Sequence, residues 1–136
     1  MFRDDDLALL ARPLYAFLTV APHGDRWPAP RPVWFEATGG DVEMFSVVGA
    51  PKLDRLREHP RASVVVAAPV GEPEHWVSVE GPVTLHEHGG VELATRLAGR
   101  YWDLSDPAYG KFLDEWRTTG TVRIVLHPEK VNRFAA

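Results

Sequence analysis

Short runs of β-type residues follow one another along most of the chain, separated by turns rich in Pro and Gly. The runs lie at 14–21, 29–37, 42–47, 61–69, 75–87 and 121–127. Strands joined by short turns pair as antiparallel hairpins, whereas parallel neighbours need a crossover of about a dozen residues or more. Strands and helices do not alternate, so nothing indicates a doubly wound sheet. The sequence therefore predicts a mainly β fold, a six-stranded antiparallel barrel with peripheral helices.

Three of these runs carry further detail. Residues 64–66 are consecutive valines, which predicts a strand covered on both faces. From Val77 onward apolar and polar residues alternate with the period of a half-buried strand. Gly81 and Pro82 follow in the same run and predict a bulge or bend. The two prolines of the 29–37 run predict an edge strand or an irregular start.

Helical spacing appears in four segments between and around the strands. These predicted helices are 4–12, 51–59, 91–102 and 106–116. Acidic residues favour the start of the first helix, and Pro13 stops it. The segment after the final strand, 128–136, is interpreted as a tail.

Composition narrows the class of protein. The 136 residues fit one domain, 1–136, with a core of its own. A net charge of −4 disfavours a general nucleic-acid binder, and the absence of cysteine excludes disulfides, thiolate metal sites and a cysteine nucleophile. No apolar run approaches the roughly 20 residues of a membrane span, and the acidic N-terminus lacks a signal pattern. We therefore expect a cytoplasmic protein with neither a membrane nor a nucleic acid as partner.

The start of the helix at 51–59 carries an unexpected charge. Pro51 suits the first helical position, but Lys52 places a cation where the helix dipole is already positive. On a helical wheel Arg55 and His59 share its edge, while Leu53 forms part of the adjacent apolar stripe. A phosphate at this N-terminus would meet free N–H groups and the ammonium together. The alternative interpretation is a solvated surface lysine.

Several segments taken in order resemble the pyridoxamine phosphate oxidase-like proteins, the flavin-binding split-barrel family. They are "RPVWFEATGGDVEMFSVVGAPKLDRLREHPRASVVV" followed by "WVSVEGPVTL". The similarity runs from about Leu14 to Leu85. It implies a six-stranded split barrel that works as a homodimer with two flavin sites at the interface. It also implies FMN as the cofactor and an oxidoreductase activity on a small-molecule substrate.

The resemblance implies the cofactor-binding residues as well. Arg31 opens the strand that lies along the flavin ring, Lys52 holds the phosphate, and Ser46 contacts the flavin or its ribityl chain. The ring would be covered by Trp34 or Trp76. The full implied set is Arg31, Pro32, Val33, Trp34, Phe35, Phe45, Ser46, Pro51, Lys52 and Trp76. The sequence singles out no catalytic residue.

Departures from the family pattern bear on the substrate. Glu36 stands where the vitamin B6 oxidases use a lysine for the substrate phosphate, so we expect little vitamin B6 oxidation. Two alternatives remain open. One is a deazaflavin-dependent reductase of the same fold, using the 8-hydroxy-5-deazaflavin coenzyme, whose acidic tail the edge formed by Lys52, Arg55 and His59 would accept. The other is a non-catalytic flavin- or haem-binding protein.

Histidine and aromatic residues complete the set of candidates. His86 and His88 are placed on one strand face, which is too few ligands for a metal site by itself. We therefore predict no metal there. The aromatic residues of 101–103 and Trp116 are interpreted as helix packing, with contact to a partner's flavin site as the alternative.

Overall fold

Eight strands and four helices make up the fold, and the computed structural model describes all residues, 1–136. In chain order the elements are α1 (Asp4–Leu10), β1 (Ala16–Val20), β2 (Arg31–Val33), β3 (Glu36–Thr38), β4 (Asp41–Val47), α2 (Pro51–Glu58), β5 (Arg61–Ala67), β6 (His75–His86), α3 (Gly90–Tyr101), α4 (Gly110–Thr119), β7 (Thr121–Leu126) and β8 (Lys130–Ala135). No helix has the length and apolar character needed to cross a membrane.

The strands form one curled antiparallel sheet. Their order is β2-β1-β5-β6-β7-β4-β3, and β8 pairs with β6 beside this path. The two ends of the sheet, β2 and β3, are separated in the chain only by Trp34 and Phe35. The sheet must therefore curl until its ends approach each other. The predicted class, a mainly β fold with an antiparallel barrel and peripheral helices, is confirmed, and the sheet forms a curled half-barrel.

The number of strands exceeds the predicted six, partly because the 29–37 run divides in two. Its first part, β2, pairs with β1, whereas β3 pairs with β4 on the other side of the barrel. The Tyr101 hydroxyl lies at the division, 3.3 Å from the Phe35 backbone nitrogen, and donates to the Leu14 carbonyl at 2.6 Å. The Tyr101 side chain thus bonds the Phe35 backbone, which has no partner strand at the division between β2 and β3.

The segment predicted as a tail forms the other additional strand. Its residues pair with β6 from Lys130 to Ala135. The Arg133 guanidinium also binds the buried Asp6 carboxylate, with Nε 3.0 Å from each oxygen. This ion pair joins the last strand to α1, the first helix of the chain.

Burial of the strands differs from the predicted pattern at β5. Val64 and Val66 point into the core, but Val65 faces outward with 38 % of its surface exposed. The strand buried on both faces is β7 instead. Ile124 belongs to the core inside the curl, whereas Val125 is buried on the outward side, where α3 packs.

Gly81 marks a close approach rather than a bulge. The pairing of β5 with β6 continues through it without an extra residue. On the other edge of β6 the partner changes from β8, which pairs up to Glu80, to β7, which pairs from Val83. A Cβ at Gly81 would lie 1.9 Å from the His127 carbonyl oxygen, so only glycine fits.

The helices follow the prediction except near Asp106. There the side chain accepts a hydrogen bond from the Ala108 N–H at 2.9 Å and forms a turn. Aspartate side chains compete with the helical backbone in this way. Helix α4 consequently begins at Gly110, four residues later than predicted.

Candidate functional site

A cavity of about 410 Å³ lies between the β1–β2 connection and the N-terminus of α2. We call it the basic cavity because its charged lining is entirely cationic. Its volume falls within the range of small-molecule sites, about 300–1,000 Å³. The lining consists of Leu18, Val20, Pro22, His23, Arg26, Trp27, Ala29, Arg31, Pro51, Lys52 and Arg55.

Lys52 is the half-buried cation of this cavity. Its ammonium has no carboxylate within 4.0 Å and no hydrogen-bond partner in the chain. Burial lowers the pKa of Lys52 because desolvation disfavours the charged form. The N-cap residue of α2 is Ala50, whose backbone is extended, and no side chain caps the helix there. An anion at this point would meet the ammonium, the free N–H groups and the positive end of the helix dipole.

Three arginines add to the positive charge, and their contacts leave the charge available. Arg31 donates only to the Pro30 carbonyl at 3.2 Å, and Arg55 donates to the Pro51 carbonyl at 3.0 Å. Arg26 has no side-chain partner. The cavity can therefore bind a multiply charged anion such as a phosphate ester, since each guanidinium keeps donors free for it.

Of the predicted cofactor residues, Arg31, Pro51 and Lys52 are brought together in this cavity. His59, predicted on the same helix edge, does not line it. His59 is the C-cap residue of α2, and its Nε2 lies 3.5 Å from Glu58.

Trp34 and Phe45 lie elsewhere, in a group of stacked rings that we call the aromatic cluster. Trp34 stacks on Tyr101 with ring centroids 5.1 Å apart, and Phe45 meets Trp116 edge-on at 5.0 Å. The members are Tyr15, Trp34, Phe45, Tyr101, Trp102, Tyr109, Phe112 and Trp116. The interpretation of 101–103 and Trp116 as helix packing agrees with this arrangement.

The other predicted residues are dispersed. Phe35 is fully buried in the core, and Ser46 is buried at the end of β4. Pro32 and Val33 belong to the end strand β2. Trp76 stacks on Phe134 on the outward face of β6, with centroids 6.4 Å apart. The structure therefore divides the implied set among several places, and the role of each in cofactor binding stays a prediction.

Glu36 has a partner that the sequence did not indicate. Its carboxylate lies 2.7 Å from the Arg96 guanidinium of α3. This contact raises the pKa of Arg96. The pair weakens the repulsion that Glu36 would exert on a substrate phosphate.

His86 and His88 are not arranged as predicted. Strand β6 ends at His86, so His88 does not share its face as predicted. The Thr84 hydroxyl lies 3.1 Å from His86 Nε2 and 2.9 Å from His127 Nε2, and His127 Nδ1 lies 3.2 Å from Asp41. No group of three or more His, Asp or Glu side chains is arranged to hold a metal ion.

Sequence reasoning missed Arg26 and Trp27 as site residues. They lie in "PHGDRWP", residues 22–28, which the sequence pattern places among the turns between β-type runs. The available signal was a cation next to a large aromatic residue at a position where no apolar periodicity explains the ring.

Comparison with known proteins shows likeness in structure but not in sequence. No protein-family model and no curated protein matches the chain. A solved F420 reductase superposes with a TM-score of 0.73 at 24% identity, covering 92% of this chain and 94% of its own. A Listeria innocua protein with the provisional name pyridoxamine 5'-phosphate oxidase gives 0.71 at 20% identity, covering 98% of each chain. An FAD-binding protein from Mesorhizobium loti gives 0.66 at 18% identity, covering 97% and 94%.

These likenesses extend over nearly the whole chain, but at identities that establish the fold alone. The chain thus has the same fold as these three proteins, which is the fold that the resemblance to the split-barrel family implied.

Proposed function

We propose that residues 1–136 form a single FMN-binding domain of an oxidoreductase, and that the basic cavity holds the phosphate of the cofactor. The observation that carries the proposal is the half-buried Lys52 ammonium, which no carboxylate of the chain neutralises. A bound phosphate ester would supply the missing counter-charge. FMN supplies the hydride or electron-pair chemistry when bound, and the protein binds, orients and tunes it.

The proposal includes a homodimer, which the outward side of β1, β5, β6 and β8 supports. We call this side the open face, since no helix of the chain covers it. Phe17 and Val65 lie opposite each other in register, with 46 % and 38 % of their surfaces exposed. Beside them Trp76 pairs with Phe134, which is 44 % exposed. An isologous dimer would bury these apolar side chains.

Replacement of Lys52 tests the phosphate site. We expect Lys52→Glu to weaken FMN binding by roughly 1.5–3 kcal/mol, because a charge-assisted contact is lost and a repulsive charge is added. Titration of FMN fluorescence measures the affinity. Lys111→Glu is the matched control, because Lys111 is exposed on α4 and does not line the cavity. Equal FMN affinities of Lys52→Glu and the unmodified protein would show that the phosphate does not bind in this cavity.

A deazaflavin coenzyme is the second candidate, and the number of cations favours it. Arg26, Arg31, Lys52 and Arg55 all line the cavity, whereas a phosphate dianion needs two charges. The surplus suits a coenzyme with a longer acidic tail, and the F420 reductase named above shares the fold. Affinities for FMN and for the deazaflavin coenzyme, measured side by side, decide between them. Arg55→Glu should weaken the affinity for the deazaflavin coenzyme, with its longer acidic tail, more than the affinity for FMN.

A further inference from the structure

Trp27 is the one tryptophan that lines the basic cavity. The residue is 90 % exposed, although it lines this cavity. Single exposed apolar residues are common on protein surfaces. This one differs because Arg26 and Arg31 line the same cavity. A large flat ring beside unpaired guanidinium groups is complementary to a ligand that is both aromatic and anionic.

The other four tryptophans already have aromatic partners. Trp34, Trp102 and Trp116 belong to the aromatic cluster, and Trp76 stacks on Phe134. None of these four lines the basic cavity. The residues that the sequence suggested as covers for the flavin ring are thus engaged elsewhere, and only Trp27 offers a free indole face at the cations.

The loop that carries Trp27 is restricted in conformation. Pro22, Pro28 and Pro30 lie within the β1–β2 connection, and proline fixes the φ angle at each. A turn joins them, closed by the Arg26 N–H donating to the His23 carbonyl at 3.2 Å. Such a loop loses less conformational freedom when its ring meets a ligand, which makes stacking more favourable.

We infer that Trp27 stacks on the aromatic group of the ligand held in the basic cavity. The cavity therefore selects phosphates that carry a flat ring over phosphates that lack one. This inference rests on the proposed function, because it assumes an anionic ligand at Lys52, and it adds the residue that determines specificity.

The test compares two ligands that share a phosphate end. FMN carries the ring, and ribose 5-phosphate does not. Both ligands are titrated calorimetrically into the unmodified protein, Trp27→Ala, Trp27→Phe and the control Phe112→Ala. The deazaflavin coenzyme serves as a parallel ring-bearing probe. Trp27→Ala should weaken ring-bearing ligands about tenfold, the size of one aromatic stacking contact. Affinity for ribose 5-phosphate should stay within about twofold, since roughly 0.4 kcal/mol corresponds to that ratio. Trp27→Phe should retain most of the affinity, and Phe112→Ala should match the unmodified protein, because Phe112 is a partly exposed ring that does not line the cavity.

Two results would overturn the inference while the phosphate site stands. One is an unchanged affinity of Trp27→Ala for FMN and the deazaflavin coenzyme, with Lys52→Glu still weakening both. The other is an equal loss for ring-bearing and ringless ligands, which would make Trp27 a positioning residue of the loop. If the unmodified protein binds neither ring-bearing probe, the proposed function and this inference both fail. Tryptophan emission gives an independent readout, because FMN should quench an exposed component that Trp27→Phe lacks.

Discussion

The outward surface of the curled sheet has two halves that differ in what covers them. On one half, α3 packs against β4 and β7, and Leu93, Leu97 and Val125 are completely or almost completely buried. On the other half, the open face, Phe17 and Val65 remain partly exposed. Both halves present apolar and aromatic side chains from antiparallel strands. Only the half beside β7 receives the helices, because α3 and α4 lie in the chain directly between β6 and β7.

This difference shows that aromatic content alone does not locate a ligand site. Trp34 and Phe45 are used to hold the helices against the sheet. The open face leaves its rings partly exposed, where the second chain of the proposed dimer would cover them. The basic cavity presents a free indole beside its cations. Three predictions test how far the two halves differ.

The largest effect is expected on the open face. Phe17→Glu should weaken the proposed dimer at least a thousandfold, about 4 kcal/mol, because two copies of the interface each lose a buried ring and gain a charge. Sedimentation over a range of protein concentrations measures the change. Leu104→Glu is the control, since Leu104 is equally exposed but lies between α3 and α4. A monomeric unmodified protein at micromolar concentration would contradict the dimer.

Substitutions in the half covered by α3 should change the stability of the fold and leave the proposed dimer intact. Leu97→Ala should lower the free energy of unfolding by about 3 kcal/mol, since it leaves a cavity where a fully buried side chain stood. The matched change on the open face, Val65→Ala, should cost less than about 1 kcal/mol. Both are measured by urea denaturation in the Phe17→Glu background, so that assembly does not add to stability. Equal losses would show that the two halves do not differ in packing.

A smaller effect is expected where α1 supports the edge of the open face. Burial alone would raise the pKa of Asp6, but the Arg133 and Arg3 contacts outweigh it and lower that pKa below its ordinary 3.8. The carboxylate therefore stabilises the fold fully above pH 3.8, and this contribution is lost as the pH falls through the lowered pKa. Asp6→Asn should cost about 2 kcal/mol at neutral pH.

Acid unfolding followed by circular dichroism tests this assignment. Asp4→Asn is the control, because Asp4 is an exposed residue in the same helical turn. A steep acid transition in Asp6→Asn, unchanged from the unmodified protein, would show that other carboxylates control the acid limit.

Much of the fold followed from local pattern, and the two strand assignments that failed share one cause, namely contacts between residues distant in sequence. The strands at β1, β4, β5, β6 and β7 and helix α2 agree with the prediction, since turns and periodicity define them within a few residues. The division between β2 and β3 did not follow, because it depends on Tyr101, which lies 66 residues from Phe35 in sequence. Strand β8 was missed because its pairing with β6 and its ion pair to Asp6 are long-range contacts.

The candidate site shows the same limit. Lys52 could be singled out from sequence, because a cation at the start of a helix is locally unfavourable. The pairing of a cation with an unexplained ring marked Arg26 and Trp27 as unusual, but nothing near them in sequence shows that the β1–β2 connection comes to lie beside α2. The resemblance to the split-barrel family also suggested Trp34 and Trp76 as covers for the ring, but it carried no information on which rings the chain packs against each other.

The sequence by itself determined the antiparallel, mainly β class and the charge at the start of α2, because turns, side-chain alternation and the helix dipole act over a few residues. The tertiary structure decided which strand is buried on both faces, which tryptophan stays free and which cations share a cavity. These outcomes depend on how distant segments meet when the sheet curls, and no local preference specifies that meeting.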